Sequence, residues 1–383
     1  MRSTPTSWAL ATALLVALAH GAPYDEYILA PSSRDLIPSS VHQVNGSVAN
    51  PASLTQSSNG NATFHGQSSV TYDFGQNIGG IVGLDVLSAS SSDAFIGVTF
   101  TESSEWISSI ACDATADSGR DSPLWFSVGQ GGHFTVNEKY ARGAFRYMTV
   151  VSNTTATVSV GKVKVDFNPS PGRDLRKYGG YFHCDDELIN RIWYAGAYTT
   201  QLCAIDPTHG NALVSHKENV HLPQTVPWWS NTTITNGTST LTDGAKRDRL
   251  VWPGDMSIAL ESVAVSTADL YSVRTGLEAL FALQKANGRL PYTSRPFPDT
   301  VSYTYHCHSL IGAFYYYRYT GDKEWIASFW DQYKLGLQWA LSSVDDTGLA
   351  NITASADWLR FGMGAHVCLL IFRKSIELTE TEY

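Results

Sequence analysis

The sequence predicts a multidomain β + α protein, in which an N-terminal antiparallel β-sandwich is followed by a domain of stacked helical hairpins. The chain has 383 residues, which is enough for two domains. Apolar residues alternate with polar ones over residues 70–167, and the apolar period becomes helical from residue 185 onward. Between these regions, the stretch NPSPGRD at residues 168–174 has the proline and glycine content of a linker.

The alternating segments predict strands that are separated by turns rich in Gly, Ser, Asn and Asp. In the last of these segments, TVSVGKVKVDF at residues 157–167, the apolar phase slips between Val160 and Val163. An extra residue on one strand restores the match between apolar positions and the buried face of the sheet. We therefore expect a β-bulge at Gly161 and Lys162.

Helical periodicity predicts five helices in the second half of the chain. These helices are expected at residues 185–203, 256–265, 270–284, 303–319 and 323–343. Asp185 and Asp186 are candidate N-caps of the first helix. The TGD turn before Lys323 is typical of an αα-hairpin, so the last two helices are expected to pack side by side.

The overall charge argues against a nucleic-acid partner. The formal net charge is −9, and the longest basic cluster reads KRDR. A surface that binds nucleic acid needs a basic patch, which this composition does not supply. Aromatic residues make up 12% of the chain, a share that suits a packed core or a surface that stacks on sugars.

Residues 1–21 predict a secretory signal peptide. Arg2 precedes an apolar run from Trp8 to Ala19, and a small-x-small pattern follows this run. The run is too short to span a bilayer of about 30 Å, so no membrane partner is expected. The sequence thus predicts a secreted, extracellular protein.

Six N-x-S/T sequons agree with export, because N-linked glycans are attached to exposed asparagines of secreted chains. The predicted glycosylation sites are Asn45, Asn61, Asn153, Asn231, Asn236 and Asn351.

Residues 243–255, DGAKRDRLVWPGD, form a dense charge cluster in a chain of which only 16% is charged. We call this segment the acidic loop. In a structural interpretation, Asp243 closes an Asp-Gly turn, Asp248 pairs with a neighbouring arginine, and Asp255 caps the next helix. In a functional interpretation, the loop serves glycoside hydrolysis, which needs one carboxylic acid to protonate the leaving oxygen and one carboxylate to activate water.

The acidic loop and three further segments together resemble the fungal α-L-rhamnosidases of glycoside hydrolase family 78. The further segments are YFHCDDELINRIWYAGAYTTQLC at 181–203, YTGDKEW at 319–325 and ASADWLRFGMG at 354–364. The resemblance covers roughly residues 70–364 and implies an inverting glycosidase. It also implies that the helical domain is a partial (α/α)6 barrel of the six-hairpin glycosidase type.

The domain boundaries follow from the linker and from this resemblance. We expect a signal peptide at 1–21, a β-sandwich domain at 22–178, the N-terminal half of an (α/α)6 barrel at 179–364 and a divergent tail at 365–383.

The resemblance also assigns roles to residues within the acidic loop. Asp248 occupies the position of the general acid, where many family members carry Glu. Asp243 and Asp255 match the carboxylates that hold the sugar. Arg247 and Trp252 line the same subsite.

Outside the acidic loop, Asp357 and Trp358 match a family motif at the mouth of the barrel, which implies contact with the substrate. The YHCHS segment offers His306, Cys307 and His308 as metal ligands. Adjacent helical positions point to different faces, so helix packing is the favoured role, with one histidine near the sugar pocket. No metal and no cofactor are expected.

Two functional hypotheses follow from these observations. The first is a secreted α-L-rhamnosidase that removes terminal α-L-rhamnose from plant glycans or glycosides with inversion. The second is a catalytically dead or vestigial carbohydrate-binding protein. The second hypothesis arises because the family takes its general base, a Glu, from the later half of the barrel, which this sequence is expected to lack.

Overall fold

The computed structural model describes residues 23–115, 119–211, 225–352 and 365–367. The predicted signal peptide, Asp357, Trp358 and most of the predicted tail lie outside this part of the chain. Within it, no helix is both long and apolar enough to cross a membrane. All six asparagines of the predicted sequons are exposed.

The N-terminal region is built from a single eight-stranded antiparallel sheet. The strands of this region are β1 (Asp35–Leu36), β2 (Ser40–Ala49), β3 (Ala62–Ala89), β4 (Phe95–Thr101), β5 (Arg120–Asp121), β6 (Leu124–Ser127), β7 (Gly132–Thr135), β8 (Arg142–Ser152) and β9 (Thr157–Phe167). The order across the sheet is β1-β9-β3-β8-β4-β6, with β2 and β7 both paired to β3. The antiparallel strands are confirmed, whereas the division of the sheet into a two-layered sandwich stays a prediction.

The bulge expected in the last strand is confirmed. Asp85 of β3 pairs with Lys162, and the next residue, Val86, pairs with Val160, so Gly161 has no opposite partner. A Cβ at Gly161 would lie 2.7 Å from the Leu87 side chain, closer than such atoms pack. A glycine therefore suits the extra position, and the slip in the apolar phase marks it correctly.

The second region is helical and begins after the predicted linker. Its helices are α1 (Glu187–Leu202), α2 (Pro253–Val265), α3 (Leu270–Ala282), α4 (Tyr303–Thr320), α5 (Lys323–Ser328) and α6 (Trp330–Leu341). Short strand pairs join β10 (Ala204–Ile205) to β12 (Thr240–Leu241), β11 (Thr225–Val226) to β5, and β13 (Ala350–Ile352) to β14 (Ala365–Val367). Four of the five expected helices are confirmed within a few residues at each end.

The fifth expected helix, at residues 323–343, is wrong as a single element. It is broken at Phe329, whose φ of −131° lies outside the helical range. The Phe329 ring packs 4.4 Å from Phe281 and 4.4 Å from Trp325. The ring is buried against these neighbours at the point where the backbone departs from helical geometry. The apolar periodicity of the sequence does not predict this break.

The first residues of α1 and α2 show how the local sequence determines where each helix begins. Asp186 accepts hydrogen bonds from two backbone N–H groups of α1, which confirms one of the two predicted caps. The expectation that Asp255 caps α2 is wrong, because Trp252 occupies the N-cap and Pro253 the first turn. Proline suits that position since its φ is already helical and it has no N–H to satisfy. Asp255 therefore lies inside the first turn of α2.

The two regions share packing and hydrogen bonds. Tyr194, Tyr198 and Leu202 of α1 belong to the same apolar core as the sheet. Tyr198 also donates a 2.7 Å hydrogen bond from its hydroxyl to the Asn77 carbonyl. The predicted linker is itself held, because the Arg34 guanidinium donates to four carbonyls between residues 167 and 173. These contacts fix the helical region against the sheet.

Candidate active site

The acidic loop connects β12 to α2 and is closed at its base by reciprocal hydrogen bonds. The Asp243 N–H donates to the Leu250 carbonyl at 3.1 Å, and the Leu250 N–H donates to Asp243 Oδ1 at 3.0 Å. The expectation of a turn at Asp243 agrees with this closure. A carboxyl oxygen that accepts a backbone N–H also holds the loop in register.

The buried side chain of Arg249 stabilises the acidic loop through hydrogen bonds to backbone carbonyls. Its side chain is 2% exposed, and it donates to the His209 carbonyl at 3.1 Å and to the Ala245 carbonyl at 3.2 Å. Burial lowers the pKa of Arg249 to about 10, so the guanidinium stays charged at neutral pH. A buried cation that bonds two carbonyls resists movement of the segment around it.

Asp248 lies at the apex of a strained turn. Its φ is 59°, and that of Arg249 is 52°, both in the left-handed region. The Arg249 N–H donates to the Arg247 carbonyl at 2.7 Å, so the hydrogen bond encloses Asp248 as the middle residue of a γ-turn. Asp tolerates this conformation better than most residues, at a cost of about 1 to 3 kcal/mol that the surrounding contacts offset.

A cavity of about 310 Å³ opens where the loop meets the helical region. It is lined by Asp243, Gly244, Arg247, Asp248, Trp252, Asp255, Tyr292 and Tyr305. All five site residues that were predicted within the acidic loop therefore lie around one cavity. Its volume is at the lower end of the range of about 300 to 1,000 Å³ for small-molecule sites.

Tyr292 and Tyr305 form an aromatic wall with Trp252 and were not predicted as site residues. The Trp252 ring meets Tyr292 edge-on at 4.7 Å, and Tyr292 stacks on Tyr305 at 5.1 Å. Tyr305 is the first residue of the YHCHS segment, in which the sequence pattern indicates the histidines and not the tyrosine. Tyr292 follows Pro291 in a stretch without periodicity and gives no signal of its own.

Burial and mutual repulsion shift the titration of the carboxylates. Burial raises the pKa of Asp243 to about 8, and the charges of Asp248 and Asp255 add to this, against the opposing hydrogen bond from Leu250. Burial also raises the pKa of Asp255, while the hydrogen bond that Tyr305 donates at 3.3 Å counteracts the shift. Asp243 thus holds a proton at neutral pH, as crowded carboxylates do.

The two histidines of the YHCHS segment have different roles. His306 is fully buried, accepts from the Leu290 N–H at 3.0 Å and bonds the Gly336 carbonyl at 2.9 Å. Its pKa is lowered by burial to about 4, so it is a neutral packing residue. His308 forms a 2.7 Å hydrogen bond with Ser257 and lies 6.4 Å from the Tyr305 ring, near the cavity. Over the described residues, no group of three or more potential metal ligands converges.

The sheet region supports the acidic loop from outside the cavity. Lys246 of the loop donates to Glu102 at 2.6 Å and to Asp113 at 3.1 Å. Asp113 in turn accepts from Arg142, a fully buried arginine that also bonds Asp121. Glu102 and Asp113 of the sheet region thus hold the acidic loop through Lys246.

Backbone contact between β8 and the loop is very close. A Cβ at Gly143 would lie 1.8 Å from the Ala245 carbonyl oxygen, so only glycine fits there. The Arg142 guanidinium next to it lies 4.8 Å from the Trp228 ring, which is buried in the core. Trp228 therefore belongs to the core and packs against Arg142.

Comparison with known proteins agrees with this architecture. Residues 221–367 match the family model described as the bacterial alpha-L-rhamnosidase 6 hairpin glycosidase domain. This part of the chain is thus similar to a six-hairpin glycosidase domain. The predicted relation to the α-L-rhamnosidases of glycoside hydrolase family 78 is confirmed. No curated protein matches the chain.

Solved structures of rhamnosidases share the fold at low sequence identity. The rhamnosidase from Klebsiella oxytoca with rhamnose bound superposes with a TM-score of 0.64 at 17% identity, over 93% of this chain and 67% of that one. The family 78 rhamnosidase of Bacillus sp. GL1 gives 0.60 at 17%, over 80% of this chain and 28% of that one. The Streptomyces avermitilis α-L-rhamnosidase complexed with L-rhamnose gives 0.52 at 16%, over 85% and 29%. This chain therefore spans less than a third of two of these enzymes.

Proposed function

We propose that the acidic loop forms the proton donor and the sugar-binding subsite of an inverting α-L-rhamnosidase. The substrate is a plant glycan or glycoside with a terminal α-L-rhamnose. One observation carries this proposal: Asp243, Asp248 and Asp255 line the same cavity as the aromatic wall. Glycoside hydrolysis needs this combination of closely placed carboxyl groups and a surface that accepts a pyranose ring.

In this mechanism, Asp248 protonates the leaving oxygen. The γ-turn presents its side chain at the cavity, and Arg247 lies 3.5 Å from its carboxylate. Departure of the aglycone requires a proton in step with bond cleavage, because an alkoxide is a poor leaving group. Attack by water from the opposite face then inverts the anomeric centre.

The other loop residues hold the sugar. Asp243 keeps its proton at neutral pH and can donate a hydrogen bond to a sugar hydroxyl, whereas Asp255 accepts one. The Trp252 Nε1 is buried and makes no hydrogen bond to the described residues, which leaves a donor beside the cavity. The tyrosines of the aromatic wall supply the apolar surface against which a deoxy sugar packs.

We also propose that the protein is secreted and glycosylated. The composition of residues 1–21 supports export, and the exposure of all six sequon asparagines supports attachment of glycans. N-terminal sequencing of the protein from a eukaryotic secreting host should give a chain that begins close to residue 22. An intact Met1 in the culture medium would contradict the proposal.

The experiment that tests the function is turnover of p-nitrophenyl-α-L-rhamnoside by the full chain and by the Asp248→Asn variant. Asp331→Asn is the matched control, because that aspartate is exposed on α6. We expect turnover by the wild type and the control, loss in Asp248→Asn, and a first product with the β configuration by NMR. Binding of L-rhamnose without turnover would favour the carbohydrate-binding hypothesis instead.

A further inference from the structure

A second groove lies on the sheet and shares no residue with the acidic loop. Its volume is about 430 Å³, and its walls include Asn45, Ser69, Trp125, Val151 and Asn153. We call it the sheet groove. It contains neither a carboxylate nor a basic side chain. The groove therefore offers amides, hydroxyls and an aromatic ring, which are groups that bind a neutral sugar.

The strand register explains how these residues come together. Asn45 pairs with Ser69, Ser69 with Val151, Val151 with Gly97, and Gly97 with Trp125. Residues that lie directly opposite each other in an antiparallel sheet point to the same face. These five positions therefore form one row across β2, β3, β8, β4 and β6, with an amide at one end and an indole at the other.

Trp125 forms a flat platform at its end of the row. A Cβ at Gly97 would lie 2.6 Å from Cζ3 of Trp125, so the indole rests on the glycine backbone. The residue is nevertheless 41% exposed. The indole therefore packs against Gly97 while a large part of the residue stays open to solvent. An exposed indole can stack on the apolar face of a pyranose.

The rim beside this platform is anchored to the sheet. Ile110 is 67% exposed at the groove, and its N–H donates to Ser108 Oγ at 3.2 Å. The buried Thr99 of β4 donates from its hydroxyl to the Ser108 carbonyl. The groove is thus a formed surface with an aromatic floor and an apolar rim.

Two of the six predicted sequons border the sheet groove. Asn45 precedes Gly-Ser, Asn153 precedes Thr-Thr, and both asparagines are exposed groove residues. We propose that the sheet groove holds the first sugars of an N-linked glycan attached to Asn153, with Trp125 as their stacking surface. This inference rests on the proposed secretion and is independent of the hydrolytic activity.

Sheet geometry favours Asn153 over Asn45. Val151 lies two strand spacings, about 10 Å, from Trp125, and Asn153 lies about 7 Å further along, which together give about 12 Å. Asn153 directly follows the last residue of β8 and lines the groove together with Val151. Asn45 lies four spacings away, about 19 Å. The first two rings of a glycan on Asn153 can span the shorter distance.

The test compares the full chain from a glycosylating eukaryotic host with the same chain from a bacterium. Glycopeptide mass spectrometry gives the occupancy of Asn153. Thermal unfolding is measured for Trp125→Ala, Asn153→Gln and the double variant in both forms. Asn45→Gln serves as the matched control, since it removes a glycan from the far end of the same groove.

We expect Asn153 to be occupied. In the glycosylated form, Trp125→Ala and Asn153→Gln should each lower Tm by about 2 to 4 °C, with little further loss in the double variant. In the bacterial form, Asn153→Gln should leave Tm unchanged, and Trp125→Ala should show only the smaller effect of uncovering Gly97. An unoccupied Asn153, or additive effects in the glycosylated form, would overturn the proposal. So would Trp125-dependent binding of free chitobiose by the glycosylated form, which would show a groove open to outside sugars.

Discussion

Replacing Asp243 with asparagine tests the electrostatics of the acidic loop. The pKa of Asp243 rises from 3.8 to about 8 on folding, mainly because its carboxyl is buried. The folded chain therefore keeps a proton that the unfolded chain releases above about pH 4. Since the folded state binds more protons in this window, the free energy of unfolding falls as the pH rises from about 4 to about 8.

The size of the effect follows from the slope of this linkage. One pH unit inside the window corresponds to about 1.4 kcal/mol for one proton. Between about pH 5 and about pH 7, Asp243 lowers the stability of the wild type by at most about 3 kcal/mol. Coupling to Asp248 and Asp255 reduces this figure, because the three carboxyls share their protons. An amide keeps the shape of the side chain and does not titrate.

Urea unfolding of the wild type and Asp243→Asn near pH 5 and near pH 7 measures this effect. The stability of the variant relative to the wild type should rise by about 1 to 3 kcal/mol between the two pH values. Asp331→Asn is the control, since Lys334 holds the pKa of Asp331 below its usual range and its charge does not change there. A relative stability of Asp243→Asn that is constant, or that falls with pH, would refute the reasoning.

Three further predictions concern the support of the acidic loop. Arg249→Met removes two hydrogen bonds to carbonyls and should cost about 2 to 4 kcal/mol in urea unfolding; an unchanged midpoint would contradict its role. Lys246→Met breaks the contacts with Glu102 and Asp113 and should lower kcat by about 10- to 100-fold with a normal circular dichroism spectrum. Lys246→Arg should recover most of this loss, and full activity of the methionine variant would argue against it. Gly143→Ala places a methyl group against the Ala245 carbonyl and should lower both Tm and turnover; wild-type values would show that the loop has room to shift.

The local sequence predicts those features that short-range chemistry determines. The slip in the apolar phase predicts the bulge at Gly161. The charge density of the acidic loop and its resemblance to a family motif predict that it lines the candidate site. In the structural interpretation of the acidic loop, Asp255 is the N-cap of α2, because Asp is a common cap. Proline in the first turn moves the start of the helix to Pro253 and leaves Asp255 to line the cavity.

The features that sequence reasoning missed depend on tertiary contacts. Tyr292 and Tyr305 meet at the cavity from segments far from the acidic loop. The sequence gives no sign that Arg142 differs from other strand residues, although it is fully buried and connects the sheet to the acidic loop through Asp113. No periodicity or spacing encodes such pairings, because they join residues that belong to different elements, such as Tyr305 and Asp255, which are 50 positions apart in the chain.

Leaving-group dependence tests the central claim, that Asp248 donates the proton while Asp243 holds the sugar. The ratio of kcat/KM on p-nitrophenyl- and methyl-α-L-rhamnoside is measured for the wild type, Asp248→Asn and Asp243→Asn. p-Nitrophenolate leaves with little protonation, so Asp248→Asn should lose about 100- to 10,000-fold more on the methyl glycoside than on the aryl glycoside. Asp243→Asn should lose activity equally on both. The opposite pattern, with Asp243→Asn selectively impaired on the methyl glycoside, would contradict this assignment and make Asp243 the acid.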